Sequence, residues 1–303
     1  MTKKPFKNDR LTGLESADAV KGRSLWQDAV RRLFHNKAAV VSMVLLGLIV
    51  LLAIFAPYLS SWAYDDPDWG YDFPGPPNME LKHWFGTDGN GRDLFVRTLH
   101  GARISLMVGI LATTVSLLIG VTYGATAGFL GGRVDSAMMR IVDILYSLPF
   151  MFFVILLMVF FGRNIFLIFV ALGAVEWLTM ARIVRGQTLS VKKKEFIEAA
   201  HAIGVSDRKI IVRHIIPNVL GPVIVYMTLT IPQVILTESF LSFLGLGVQE
   251  PLTSWGVLIS EGAKQMESAP WMLFFPAVFL ALTLFCFNFI GDGLRDALDP
   301  KDR

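Results

Sequence analysis

Three carboxylates fall inside long apolar stretches of this sequence: Asp143, Glu176 and Glu238. A charge in hydrocarbon is costly, so each must pair with a cation, face a protein interior or border an aqueous path. A proton relay or a contact with an amine would use such a group. The alternative is a side chain paired with Arg140, Arg182 or a backbone donor near a helix end. That alternative is the preferred reading for Asp143 and Glu176, which stand near the edges of their stretches. Glu238, between Thr237 and Ser239, is the best pathway candidate.

Two polar segments carry a denser pattern. The first runs from Lys192 to Asn218. Phe196, Ala199, Ala200 and Ile203 share one face of a short helix that Gly204 ends; Ser206 then caps a second helix bearing Ile210, Ile211 and His214, closed by Pro217. Alanines allow close backbone approach, so this helix–Gly–helix suits another protein's groove; a plain interfacial hairpin is the alternative. The second segment reads His83-Trp-Phe-Gly86-Thr87-Asp88-Gly-Asn-Gly91-Arg92-Asp93-Leu, followed by His100-Gly101-Ala102-Arg103-Ile104-Ser105. Gly86, Gly89 and Gly91 permit tight turns within which Asp88, Arg92, Asp93 and Arg103 can pair. A structural cap and a substrate contact both fit, and these residues are not assigned as ligands.

What is missing narrows the chemistry. No Gly-x4-Gly-Lys-[Ser/Thr] loop occurs, so the usual nucleotide cradle is absent from this sequence. Neither His-Glu-x-x-His nor a His/Cys cluster is present to hold a catalytic metal. The single cysteine, Cys286, excludes an intrachain disulfide and reads as a buried inert thiol.

The elements that must position these residues are membrane helices. Only 17% of the 303 residues are charged and 53% are hydrophobic, against about 25% charged in soluble domains. The apolar excess comes in six blocks, near Ala38–Leu59, Ile104–Phe129, Ile141–Phe161, Ile165–Ala181, Val219–Gly247 and Trp271–Ile290. Each is close to the roughly 20 residues that span a bilayer as a helix, and none alternates like a barrel strand. Blocks three and four, separated only by Gly162, Arg163 and Asn164, form a tight hairpin. The expected fold is thus all-α, with six transmembrane helices.

The segments divide as a leader (1–37), a first span (38–59), an outward loop (60–103), a five-helix core (104–292) containing the polar segment 182–218, and a tail (293–303). The leader, the turn between blocks two and three, the segment 182–218 and the tail hold 22 of the 28 Lys and Arg; the other side holds six. By the positive-inside rule both termini and the segment 182–218 are cytoplasmic. In the leader, Trp26, Val30, Leu33 and Phe34 line one side of a basic amphipathic helix from Ser24 to Asn36, suited to the inner membrane surface, while residues before Gly22 read as a disordered tail. The polar leader is too long for a signal-peptide n-region, so the first span is expected to remain as an anchor. Pro149, Pro222, Pro232 and Pro276 supply kinks, and Gly120, Gly124 and Gly128 favour close helix packing.

Glu198-Ala199-Ala200, three residues, Gly204, and a proline thirteen positions later resemble the EAA loop of ABC-importer permeases. His214 and Ile216 depart from the commoner Ile and Leu before that proline. The segment from His83 to Ser105 resembles the one before the second helix in dipeptide, oligopeptide and nickel permeases. The likeness extends over nearly the whole chain, to Gly291-Asp-Gly-Leu-Arg295-Asp-Ala-Leu-Asp-Pro300, and is nearest to the C-type permease subunits of oligopeptide importers. It implies a type I importer fold in the bacterial inner membrane, with Glu198, Ala199, Ala200, Ile203 and Gly204 coupling to an ATPase subunit. It further implies a sister permease, two ATP-binding subunits that hold ATP and magnesium, and a periplasmic or surface peptide-binding protein. This chain would be a pore subunit and not an enzyme. Dipeptide or nickel import is the neighbouring alternative. An ion-coupled secondary transporter is the rival class, but it would usually show inverted repeats and leave the polar loop unexplained.

Overall fold

The computed structural model describes residues 25–162 and 164–298. The expectations for residues 1–23, Arg163 and the last five residues lie outside that range. Among the described residues the fold is helical, with five helices long and apolar enough to cross a membrane and one bent helix pair that passes the same test only when the two are taken together.

Helix α1 (Leu25–His35) is the expected amphipathic helix. Its Ala29 is buried while Val30 and Phe34 project outward, the arrangement of a helix lying on an apolar surface. Asn36 then caps α2 (Lys37–Leu59), accepting the Ala39 N–H at 3.2 Å. Ser42, Ile49, Ala53 and Ala56 make the buried stripe of α2, and Val41, Val44, Leu48 and Leu51 stay exposed as lipid-facing surface.

Helix α3 (Leu94–Leu130) begins ten residues before the expected block, because Asp93 caps it through the Val96 N–H at 2.8 Å. The polar residues that hid this first turn from a hydropathy reading are buried against the loop before it. The third expected block is two helices, α4 (Gly132–Ser147) and α5 (Phe150–Phe161), bent by 81° about Leu148 and Pro149. Proline disfavours helical geometry in its predecessor, and here the helix stops outright. Helix α6 (Ile165–Val191) runs ten residues past its expected end, so much of the supposed loop 182–218 is a continuation of a span.

The rest of that loop is α7 (Glu195–Ala202) and α8 (Asp207–Ile210), then a π-helical turn (Ile211–Ile215) leading directly into α9 (Ile216–Phe243). Pro217 does not close a helix. It occupies the first turn of α9, where its missing N–H costs least, and the π turn before it supplies the Ile216 N–H to the Ile211 carbonyl. Ser206 takes the N-cap place of α8 without a side-chain bond. Helix α10 (Trp255–Lys264) was not anticipated, and α11 (Trp271–Leu298) extends eight residues beyond its apolar block.

The centre of the bundle is the α3–α6 pair. A methyl group added at Gly120 would meet the Met180 side chain at 2.6 Å, at Gly124 it would overlap the Ala181 carbonyl, and at Gly128 it would lie 2.9 Å from the Arg185 carbonyl. The expected glycine ridge therefore does what its spacing implies, letting two backbones touch. Around this pair, α9 and α11 pack on one side with α2 against α11.

Candidate functional site

The polar segment after α6 builds an exposed helical element on a buried root. In α7, Ile197 and Ala200 point inward and join Phe129, Val191, Ile210 and Ile215 in one apolar cluster. His201 stacks on Phe129 with ring planes 2° apart. Glu198 and Ala199 face solvent, as do Phe196 (40% exposed) and Ile203 (80%). The shared face expected for Phe196, Ala199, Ala200 and Ile203 is thus corrected: Ala200 belongs to this chain's core, and Ile197 takes the anchoring role. An eight-residue helix can hold on by one narrow stripe only, and the larger Ile197 supplies most of the area.

Gly204 ends α7 with φ +79°. Its N–H reaches the His201 carbonyl and the Val205 N–H reaches the Ala200 carbonyl, the paired bonds of a Schellman motif. Only glycine takes that φ without strain, so the Glu-Ala-Ala–Gly spacing sets where the helix stops. The root cluster joins α7 to the ends of α3, α6 and α9.

At the opposite end, the loop 60–93 and the start of α3 form a rigid cap. His83 is fully buried, its Nδ1 2.8 Å from Asp93 Oδ2 and its Nε2 3.2 Å from Asp68 Oδ2. Trp62 and Tyr71 stack on its ring, at centroid distances of 4.6 and 5.3 Å. The Gly70 N–H and His83 hold the Asp68 carboxyl below its ordinary pKa, whereas burial pushes Asp93 up. Asp88 is completely buried, accepts a hydrogen bond from Arg92 Nε at 2.8 Å and forms an ion pair with Arg97, whose Nε lies 3.0 Å away outside hydrogen-bond geometry. Arg92 also reaches Glu250 at 3.0 Å, and Arg97 reaches Glu261 at 3.5 Å, so the cap is tied to the α9–α10 turn and to α10. Burial raises the Glu261 carboxyl, with Arg97 opposing. Thr87 fastens the loop to itself, accepting from the Gly75 N–H and donating to the Asp72 carbonyl. Gly86 and Gly91 both take φ +79°.

The loop motif Gly86, Thr87, Asp88, Gly91, Arg92 and Asp93 is therefore assembled as a structural cap, of the two readings that were open. Two details differ from expectation. Arg103 does not join the cluster but donates to the Ile54 carbonyl at 3.2 Å, and Asp93 pairs with His83, not with an arginine. His83 and Arg97 carry more of this network than the sequence suggested. The signal for Arg97 was a basic residue four positions after Asp93 and nine after Asp88, on a helix start that hydropathy had missed.

The three apolar-block carboxylates separate clearly. Asp143 pairs with Arg182 at 2.9 Å in an exposed contact, one of the three kinds of partner expected of it. Glu238 is fully enclosed: Ser242 donates to Oε1 at 2.7 Å and Ser105 to Oε2 at 3.3 Å, while the Ser105 hydroxyl also accepts the Trp255 N–H. It locks α3, α9 and α10 together and borders none of the described cavities. The pathway candidate from sequence is thus a core residue here, because α10 and its Ser254–Trp255 start, unseen in the sequence, cover it. Glu176 is the one that opens on a cavity. It is the twelfth of 27 residues of α6, near the middle of the helix and not at an edge as the shorter block suggested. The cavity, about 430 Å³, sits in the crook of the α4–α5 bend, faced by α6 and α9, with Tyr146, Thr179, Tyr226 and Gln233 as its other polar lining.

Comparison with known proteins identifies the family type. Residues 120–303 match the model described as "Binding-protein-dependent transport system inner membrane component", and residues 24–77 match "N-terminal TM domain of oligopeptide transport permease C". The chain is 65% identical over 284 residues to the Escherichia coli K12 "Oligopeptide transport system permease protein OppC", covering 94% of each. It is 62% identical to the Haemophilus influenzae protein of the same name, covering 94% of this chain and 91% of that one. Among solved structures, a chain of the MetNI methionine ABC transporter in an inward-facing conformation aligns with TM-score 0.57 at 18% identity, over 68% of this chain and 96% of that one. That likeness fixes the fold: a type I ABC-importer permease.

Proposed function

This chain belongs to the binding-protein-dependent transport system inner membrane components, and on that premise we propose that it forms half of the pore of an ATP-driven oligopeptide importer. The observation that carries the reading is the exposed, glycine-terminated α7 rooted in the ends of three spans. Such an element transmits force and has no use in a chain that works alone. Its partners are a sister permease, two ATPase subunits that bind ATP and magnesium, and an external peptide-binding protein. Both termini and α7 face the cytoplasm, in keeping with the 22-to-6 division of basic residues.

Coupling is mechanical. Closure of the ATPases carries Glu198, Ala199, Ile203 and Gly204 with them, and Ile197 and Ala200 pass the motion to α3, α6 and α9. The bundle then alternates between inward-open and outward-open states, the binding protein delivering peptide to the latter. The names borne by the high-identity relatives favour oligopeptide over dipeptide or nickel cargo.

The test is uptake of labelled dipeptide, tetrapeptide and nickel in cells with and without this chain. Tetrapeptide uptake alone should disappear on deletion and return with the wild-type chain. Loss confined to dipeptide or nickel would reassign the cargo, and no loss of any would overturn the peptide reading.

A further inference from the structure

Glu176 is a carboxylate near the middle of a span, half-buried, and it forms no ion pair among the described residues. The nearest plausible cation on its helix is already committed. Arg182 pairs with Asp143 at 2.9 Å and lies over the Tyr146 ring at 4.4 Å. Arg185, one turn further, is bound bidentately by Asp135, both contacts at 2.6 Å. Ion pairs thus hold α4 to α6 on the α7 side of the cavity and leave the one deeper charge without a counter-ion. A solitary charge in a span is costly unless it borders an aqueous path, and on such a path it is placed to meet a cationic visitor.

The surroundings fit a visitor. The cavity wall is mostly apolar, with a few convergent polar groups, the general pattern of a small-ligand site. Tyr226 and Thr179 line the same cavity as Glu176, and Gln233 joins them from two turns along α9. The cavity exists because the chain breaks by 81° at Leu148–Pro149, leaving the crook between α4 and α5 unfilled.

We propose that this cavity is a cargo subsite in which Glu176 receives the ammonium group of a peptide in transit, with Tyr146, Thr179, Tyr226 and Gln233 supplying neutral contacts. The inference rests on the peptide-importer reading. Every unblocked peptide carries an α-ammonium whatever its side chains, so a single carboxylate serves a broad cargo range, and the apolar wall tolerates varied residues. A lysine side chain offers the same chemistry, and the experiment separates the two sources.

The complete complex, with sister permease, ATPases and binding protein, is reconstituted in liposomes, and ATP-driven uptake of Ala-Ala-Ala and Ala-Lys-Ala is measured. Glu176→Gln keeps the shape and removes the charge; Glu176→Asp keeps the charge. Glu176→Gln should lower uptake by about tenfold or more, the worth of one charged hydrogen bond, with substantial recovery in Glu176→Asp. Equal losses for both peptides assign the α-ammonium, and a loss for Ala-Lys-Ala alone assigns the side chain. Separately, the Glu176→Cys thiol should react with a cationic methanethiosulfonate, more slowly when tripeptide is present; Cys286, the only native cysteine, is buried. Uptake unchanged in Glu176→Gln, or lost alike in Glu176→Gln and Glu176→Asp with no peptide protection of the thiol, overturns the inference. If the wild-type complex imports neither peptide, the importer reading itself has failed, a different and distinguishable result.

Discussion

At the scale of single residues, the cap before α3 shows how burial decides what a charge is worth. Asp88 and Glu250 both pair with Arg92, but Asp88 is wholly buried and Glu250 is 60% exposed. Removing the charge of Asp88 leaves Arg92 only the exposed Glu250 and leaves Arg97, itself fully buried, only the 3.5 Å contact with Glu261. Breaking a buried pair typically costs about 3–5 kcal/mol, whereas an exposed pair is worth up to about 1 kcal/mol. Asp88→Asn should therefore lower the thermal midpoint of the purified complex by several degrees, and Glu250→Gln should leave it almost unmoved, by scanning fluorimetry. Equal small shifts would mean that the cap does not stabilise the permease. The sequence showed that Asp88 and Arg92 could pair; it did not show their burial or their partners Glu250 and Glu261, more than 150 residues away.

At the scale of elements, legibility followed hydropathy and failed where polar residues were enclosed by protein. The first span was read to within a residue, Ala38–Leu59 against Lys37–Leu59, since nearly all of its residues are apolar and most are exposed. Helix α3 was read ten residues short because Arg97, Thr98 and His100 belong to the same helix yet pack against the cap and not against lipid. Helix α10 was missed because ten amphipathic residues fall below any spanning length, although Ser254 caps it in the ordinary way, accepting the Val257 N–H. The Gly120–Gly124–Gly128 ridge was legible since its spacing of four has a geometric meaning independent of environment. At Gly124 a side chain has nowhere to go, with the Ala181 carbonyl and the Arg185 backbone nitrogen facing it. Gly124→Leu should part α3 from α6 and cost about 3 kcal/mol or more, seen as loss of complex assembly, while Gly221→Leu, at a site open on the α9 surface, should assemble normally. Normal assembly of Gly124→Leu would show that the two helices have room to separate.

At the scale of the whole molecule, the question is whether α7 drives the bundle or merely decorates it. Its root touches α3, α6 and α9, its other side leaves Glu198, Ala199 and Ile203 exposed, and two of the three root helices, α6 and α9, also border the Glu176 cavity. The geometry depends on Gly204. Proline there cannot adopt φ +79° and lacks the N–H that bonds the His201 carbonyl, so the chain would leave α7 in another direction. The spans themselves do not need that turn, since the clusters around the α3–α6 pair form without it. Gly204→Pro should consequently insert and fold, yet abolish both peptide transport and the ATPase stimulation that transport requires, measured in the reconstituted complex. Gly204→Ala, strained by only about 1–2 kcal/mol, should keep a reduced but coupled activity. The ordering of the two variants separates a coupling lever from a passive contact: a lever fails in proportion to the disturbed angle of its end, whereas a contact surface would treat both changes alike, because a Cβ at this position meets no neighbouring atom.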